Sequence, residues 1–261
     1  MRPVLLFLAL SAATAAAAQE VSAPVITTVV VPVVGSVTGV DNVRWRTEVE
    51  LRNDTRTEAS VVISLPTAPE QPAIALPGIP PGGVVQFADI VGEAFKLDAA
   101  ISPMIVATDG RRSVTIRANI YGIRGTDMLP VQTIPIDDAS TFIPMMRVLR
   151  GLSFSDDFRT NIGLANLGEN AASFTLALQR VLGRNVAVTH VTLPGSTLWH
   201  ASIQSLFPLI TAGDNFSIVI ETSAPETYVY ASVIENATDA ARFVAPLPIG
   251  ASVVQAATAL Q

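Results

Sequence analysis

Polar and apolar residues alternate most cleanly from Val43 to Arg52. Arg44, Arg46, Glu48, Glu50 and Arg52 hold the even positions. Val43, Trp45, Val49 and Leu51 hold the odd ones, with Thr47 among them. Period two marks a strand with one buried and one wetted face. The pattern returns later in the chain. Phe158, Thr160, Ile162 and Leu164 take the matching inward positions, while Asn161, Gly163 and Ala165 stand where Glu48, Glu50 and Arg52 stood. The inward face is kept and the outward charges are largely lost.

The return is part of a longer register. At an offset of 113 positions Arg46-Thr47 falls on Arg159-Thr160, Asn53 on Asn166 and Pro81-Gly82 on Pro194-Gly195. Ile105-Val106 falls on Ile218-Val219 and Pro135-Ile136 on Pro248-Ile249. A constant offset across a whole unit indicates internal duplication. Each unit predicts an opening strand (Val29 to Val34; Phe142 to Met146) and the alternating strand just described. A strand from Ser60 to Leu65, or Ser173 to Leu178, follows. A looser stretch then runs to the Pro-Gly turn. After it the period changes: Phe87, Ile90, Val91 and Phe95, like Leu198, Ser202, Ile203 and Leu206-Phe207, predict one short helical turn. Three strands complete each unit: Ile105 to Thr108, Val114 to Tyr121 and Val131 to Ile136, matched by Phe216 to Glu221, Tyr228 to Ile234 and Phe243 to Pro246. The expectation is an all-β chain of two tandem immunoglobulin-like β-sandwich domains, over 26–136 and 141–249.

The ends read differently. Arg2, the apolar run Val4 to Leu10 and Ala16-Ala17-Ala18 predict a signal peptide over 1–18. The run is too short for a spanning helix, and no later segment could cross a membrane as one. The tail 250–261 is expected to fray, or to add an edge strand through Val253-Val254. Cysteine is absent, so an oxidising compartment offers no disulfides and stability must come from packed cores. The net charge of −6 argues against nucleic acid and anionic membrane partners. Charged residues are only 15% of the chain, a composition that suits sandwiches and assembling surface proteins.

Trp45-Arg46-Thr47 followed by Asn53, and Phe158-Arg159-Thr160 followed by Asn166-Leu167-Gly168, each with a later Pro-Gly turn, resemble bacterial secreted immunoglobulin-like repeats of the cell-adhesion-related type. The resemblance implies spacer, adhesive or accessory roles and carries no catalytic residues. Periplasmic pilus chaperones are also exported pairs of such domains. Their halves are dissimilar, however, and they grip a carboxylate with a basic pair that does not stand out here.

Candidate chemistry is sparse. His190 and His200 are the two histidines, and neither belongs to a recognisable triad, elbow or zinc motif. No catalytic residue and no cofactor is assigned, and the chain reads as a non-enzyme. Asp137, Asp138, Asp156 and Asp157 are the candidate calcium ligands near the junction, although Asp also favours turns for backbone reasons. Trp199 with His200 is the candidate ligand-binding spot, whereas Trp45 alternates into a core face. Tyr228 and Tyr230 share a strand face that could be exposed. Arg46 and Arg159 recur, so a structural pairing is favoured over a repeated contact site. Three glycosylation sequons, at Asn53, Asn215 and Asn236, matter only in a eukaryotic secretory pathway. The expected function is association with a protein or cell-surface partner, or with itself, in the periplasm or outside the cell. Binding of a glycan or small ligand, and a pilus-type chaperone role, are the alternatives.

Overall fold

The structure, a computed structural model, describes residues 26–109, 114–138, 146–180, 184–210 and 212–249. The predicted leader 1–18 and tail 250–261 lie outside the described residues. The chain is all-β with antiparallel pairing throughout, interrupted by a 3-10 turn and two single-turn helices. No helix among the described residues is long and apolar enough to cross a membrane.

The first half contains β1 (Ile26–Thr38), β2 (Arg44–Asn53), β3 (Val61–Ser64), β4 (Ile74–Ala75), β5 (Val84–Phe87), β6 (Ala100–Asp109), β7 (Val114–Arg124), β8 (Asp127–Met128), β9 (Gln132–Ile134) and β10 (Asp137–Asp138). One layer runs β4-β3-β6-β1, with β10 on β1, and the other groups β5, β7, β8 and β9 around β2. The long strand β1 belongs to both. Its first part pairs with β6, and Ser36 to Thr38 pair with β2. The β6 register slips between Val31 and Val34. Pro32 lies in that gap, where a residue without a backbone N–H cannot continue the ladder. Val31, Val49, Leu51, Ile63 and Val106 fill the core between the layers.

The second half contains β11 (Arg147–Phe154), β12 (Phe158–Asn166), β13 (Ala172–Gln179), β14 (Asn185–Leu193), β15 (Thr197–Ser202), β16 (Gly213–Thr222), β17 (Thr227–Glu235), β18 (Ala241–Val244) and β19 (Leu247–Pro248). Its two sheets are separate, β14-β13-β16-β11-β19 and β15-β12-β17-β18. Leu149, Phe174, Leu176, Phe216 and Ile218 from the first sheet pack on Ile162, Leu164, Val229 and Ala231 from the second.

The pairing scheme recurs at the offset read in the sequence: β6 and β16, at 100–109 and 213–222, differ by that offset at both ends. So do the helical turns α1 (Ile90–Glu93) and α2 (Ile203–Leu206), capped by the side chains of Asp89 and Ser202. The recurring asparagines explain the recurring Pro-Gly turns. Asn53 is buried, and its Nδ2 donates to the Thr57 and Ile79 carbonyls at 2.7 Å. Asn166 Nδ2 donates to the carbonyls of Asn170 and Pro194 at 2.8 and 2.9 Å. Each Oδ1 accepts a backbone N–H two residues on, from Thr55 and Gly168. One side chain thus closes the turn after its strand and ties in the segment around Pro81 or Pro194. Gly195 is needed there, because a Cβ would meet the Glu169 carbonyl oxygen at 2.1 Å.

Two expectations change. The strand expected over Phe142 to Met146 falls mostly outside the described residues, and the opening strand observed is β11. The stretch expected to be loose in the second half is the nine-residue strand β14. Its β-branched run, Val186 to Thr192, continues the sheet. The matching first-half segment carries Pro66, Pro69, Pro72, Pro77 and Pro80 and keeps only the two residues of β4.

Asn53→Ala and Asn166→Ala each remove the buried amide that ties the turn after its strand to the Pro-Gly segment. Each is expected to lower the unfolding free energy by about 2 kcal/mol, read from urea unfolding; an unchanged midpoint would refute the role assigned to the pair.

Candidate functional site

The lost outward charges of β12 mark where the two halves meet. Ala165 and Tyr228 are fully buried and Tyr230 is 4% exposed, all packed into the cluster that contains the first-half core. The sheet face holding Tyr228 and Tyr230, which the sequence left open to exposure, is therefore covered. Glu50 of the first half is matched by Gly163 in β12, and this glycine shapes the junction. It lies in register between His200 of β15 and Tyr230 of β17. A Cβ there would strike the Tyr230 ring at 2.3 Å. The ring instead crosses β12, and its hydroxyl bonds to His200 Nε2. Phe243 stacks on the other face of Tyr230, with centroids 5.3 Å apart.

Beside this pair a cleft of about 290 Å³ runs between the halves. β1 contributes Val33, Gly35 and Val37, β2 contributes Trp45 and Thr47, and Ile101, Ile120 and Gln132 follow from β6, β7 and β9. The facing wall holds Asn161, His200, Tyr230, Ser232, Ile234, Ala241 and Phe243. No lining residue is Asp, Glu, Lys or Arg. His200 lines the cleft as an exposed residue, and desolvation by the protein packed around the rest of its ring lowers its pKa to about 4. Burial raises the pKa of the Tyr230 hydroxyl. Both groups are neutral at physiological pH.

Charge is confined to a seam elsewhere on the junction. Asp239, 3% exposed, accepts from Arg124 of the first half and from Arg159 of the second. Arg159 also donates to Asn236 Oδ1 at 2.9 Å. Desolvation lowers the Arg159 pKa, and the nearby Asp41 carboxylate opposes that effect. Arg46, the counterpart of Arg159, pairs instead with Asp89 at 2.9 Å, which also accepts from Ser36 Oγ. The two arginines, 113 residues apart, thus both hold structural carboxylates, of different origin.

The other predicted residues are scattered. Trp199 is half-buried against the second-half core, beside His200 but absent from the cleft wall. Trp45, read as a core residue, lines the cleft. His190 sits on the exposed face of β14, bonded to Thr175 Oγ1 at 3.1 Å. Asp156 and Asp157 lie in an exposed turn, where the Asp156 carbonyl accepts from Asn236 Nδ2 at 2.8 Å. Asp137 and Asp138 form β10, and their side chains lie outside the described residues. Among the described residues no group of three or more His, Cys, Asp or Glu could hold a metal. Sequence reasoning read Tyr230 as a residue that could be exposed and did not single out Gly163, Gln132 or Asp239 as site residues. Only the loss of the β12 charges signalled them.

No protein-family model matches the chain, and no curated protein matches it.

Two outcomes test this junction. Asp239→Ala strands two guanidinium groups, and should cost about 2 kcal/mol in urea unfolding; both arginines reach water, which limits the loss. The second concerns acid. An unfolded histidine binds a proton near pH 6.5, whereas folded His200 does so only near 4. The unfolded chain therefore holds more protons between these values, and stability falls as pH drops from 6.5 towards 4. The double variant His200→Phe/Tyr230→Phe, which removes both polar partners together, should lose this part of the slope. An acid slope identical to wild type would contradict the assignment.

Proposed function

We propose that this chain is an exported, non-enzymatic structural or adhesive protein of duplicated immunoglobulin-like build, acting by association with protein partners through the free edge of β14. The observation that carries the reading is that edge. β14 ends its sheet, and among the described residues no strand pairs with its outer side. It is nine residues long, from Asn185 to Leu193, and contains no Asp, Glu, Lys, Arg or Pro. Val186 and Val188 are 40% and 51% exposed. Natural sheets blunt such edges with charge, proline or brevity, because an open edge templates pairing with another chain. The first half does so, with its two-residue β4 beside a proline-rich loop. The second half uses none of these three, and its one register shift against β13 falls at the start of the strand, between Asn185 and Ala187.

The first occupant to consider is a second copy. Two identical uncharged edges pair antiparallel about a twofold axis without like-charge repulsion. The chain's overall negative charge opposes random aggregation and leaves this strip as the favoured contact. A non-enzymatic role is supported by the company His200 keeps: its ring bonds the Tyr230 hydroxyl, and among the described residues no carboxylate bonds it. A pilus-chaperone role gains nothing from the junction, because Arg124 and Arg159 are engaged by the chain's own Asp239. Export rests on the leader predicted over 1–18.

Sedimentation of the mature chain, from micromolar towards millimolar concentration, should show a monomer–dimer equilibrium. Val188→Lys, which places a charge on the outer surface of the edge strand, should weaken dimerisation at least roughly tenfold while leaving the fold intact by circular dichroism. A wild-type chain that stays monomeric throughout would overturn the reading.

A further inference from the structure

The cleft between the halves has the composition of a binding site, on grounds independent of the β14 edge. Gln132 is the decisive residue. It is 8% exposed, yet no described group bonds its side-chain amide. Its polar atoms are not sealed in protein either; they reach the cleft they line. A buried amide offers two donors and an acceptor, and native interiors rarely leave these unmatched. Here they open onto walls made by Trp45, Ile101 and Phe243. His200, whose Nε2 bonds the Tyr230 hydroxyl, also lines the cleft.

We propose that this cleft binds a small neutral molecule of one or two rings that carries a hydrogen-bonding group at one end. Size, polarity and charge each support this class. A cavity of about 150 Å³ admits benzene, and this one holds about 290 Å³, which suits a substituted or fused ring. Trp45 and Phe243 offer aromatic surface to such a ring, and Gln132 with His200 meets its polar end. No lining residue carries a formal charge, so a charged ligand would be desolvated without compensation. Water served by Gln132 is displaced at little cost by a group that repeats its hydrogen bonds.

Calorimetric titration of the mature chain with 2-naphthol and with 2-naphthoate tests the proposal, because the pair shares a ring system and differs in charge. 2-Naphthol should bind saturably at one site per chain, and 2-naphthoate at least tenfold more weakly. Gln132→Leu should weaken 2-naphthol roughly threefold to tenfold, the value of one hydrogen bond. Ile101→Trp, which fills the cleft from its partly exposed rim, should abolish binding; if that variant fails to fold, Gln132→Leu decides. Absence of saturable heat with 2-naphthol overturns the proposal, as does unchanged affinity in folded Gln132→Leu. Equal affinity for 2-naphthoate overturns the assignment to neutral ligands.

Discussion

An apolar sheet face has to be covered, and much of this molecule follows from how one such face is covered. In the first half the outward side of β2 carries Arg46, Glu48, Glu50 and Arg52, and water suffices. The equivalent side of β12 carries Asn161, Gly163 and Ala165, flanked by Tyr228 and Tyr230 of β17. Left exposed, that surface would be a large apolar patch. Each buried tyrosine removes about 150–250 Å² from water, an upper-bound contribution on the order of 4 kcal/mol. The first half supplies the cover, and the halves are thereby held together without a disulfide.

The cover is imperfect in an orderly way. Gly163 lets the Tyr230 ring lie flat across β12, and the flattened ring brings its hydroxyl to His200. The first-half wall does not follow that contour completely, with Val33, Gly35 and Val37 of β1 facing it across a gap. The residual space is the cleft. Charge is kept to the seam where Asp239 collects Arg124 and Arg159. A carboxylate shared by two partly solvated guanidinium groups costs little desolvation for the orientation it fixes. Apolar burial therefore supplies the adhesion between the halves, and the seam supplies its direction.

How much of this could be read beforehand depends on whether the signal was local or relational. Period two in Val43 to Arg52 and the constant offset located most of the strands and both helical turns, because these are properties of a short stretch or of a repeat. Asn53 and Asn166 stood out as recurring and proved to organise their turns. The strand β14 was passed over because its match in the first half is broken by prolines, so comparison between the units hid what Val186 to Thr192 says alone. The junction was less legible still. Tyr230, His200 and Gly163 are far apart in sequence and meet only through strand register. Asp239 looks like an ordinary turn residue until two arginines from different strands reach it. The drift from Glu50 to Gly163 was visible as drift; its meaning required the partner surface.

Repetition also clarifies where specialisation has gone. A feature kept in both halves, such as Asn53 with Asn166 or Thr47 with Thr160, is held by backbone geometry, since each bonds main-chain atoms of its own half. Features present once point outward from a half. The second half lacks charge at two places, the β12 face, where the first half carries it, and the β14 edge, whose first-half match 72–80 is also uncharged, and their fates differ. The face is buried by the first half, whereas the edge meets no described strand. If simple drift towards apolar residues accounted for both, the β14 strip should also have gained bulky exposed side chains on either side of the sheet. Instead it keeps strict alternation, with Ala187, Thr189 and Val191 less exposed than Val186, Val188 and His190. An edge that keeps strand order without charge or proline, with its one register shift confined to the start of the strand between Asn185 and Ala187, is the surface that the proposed pairing requires.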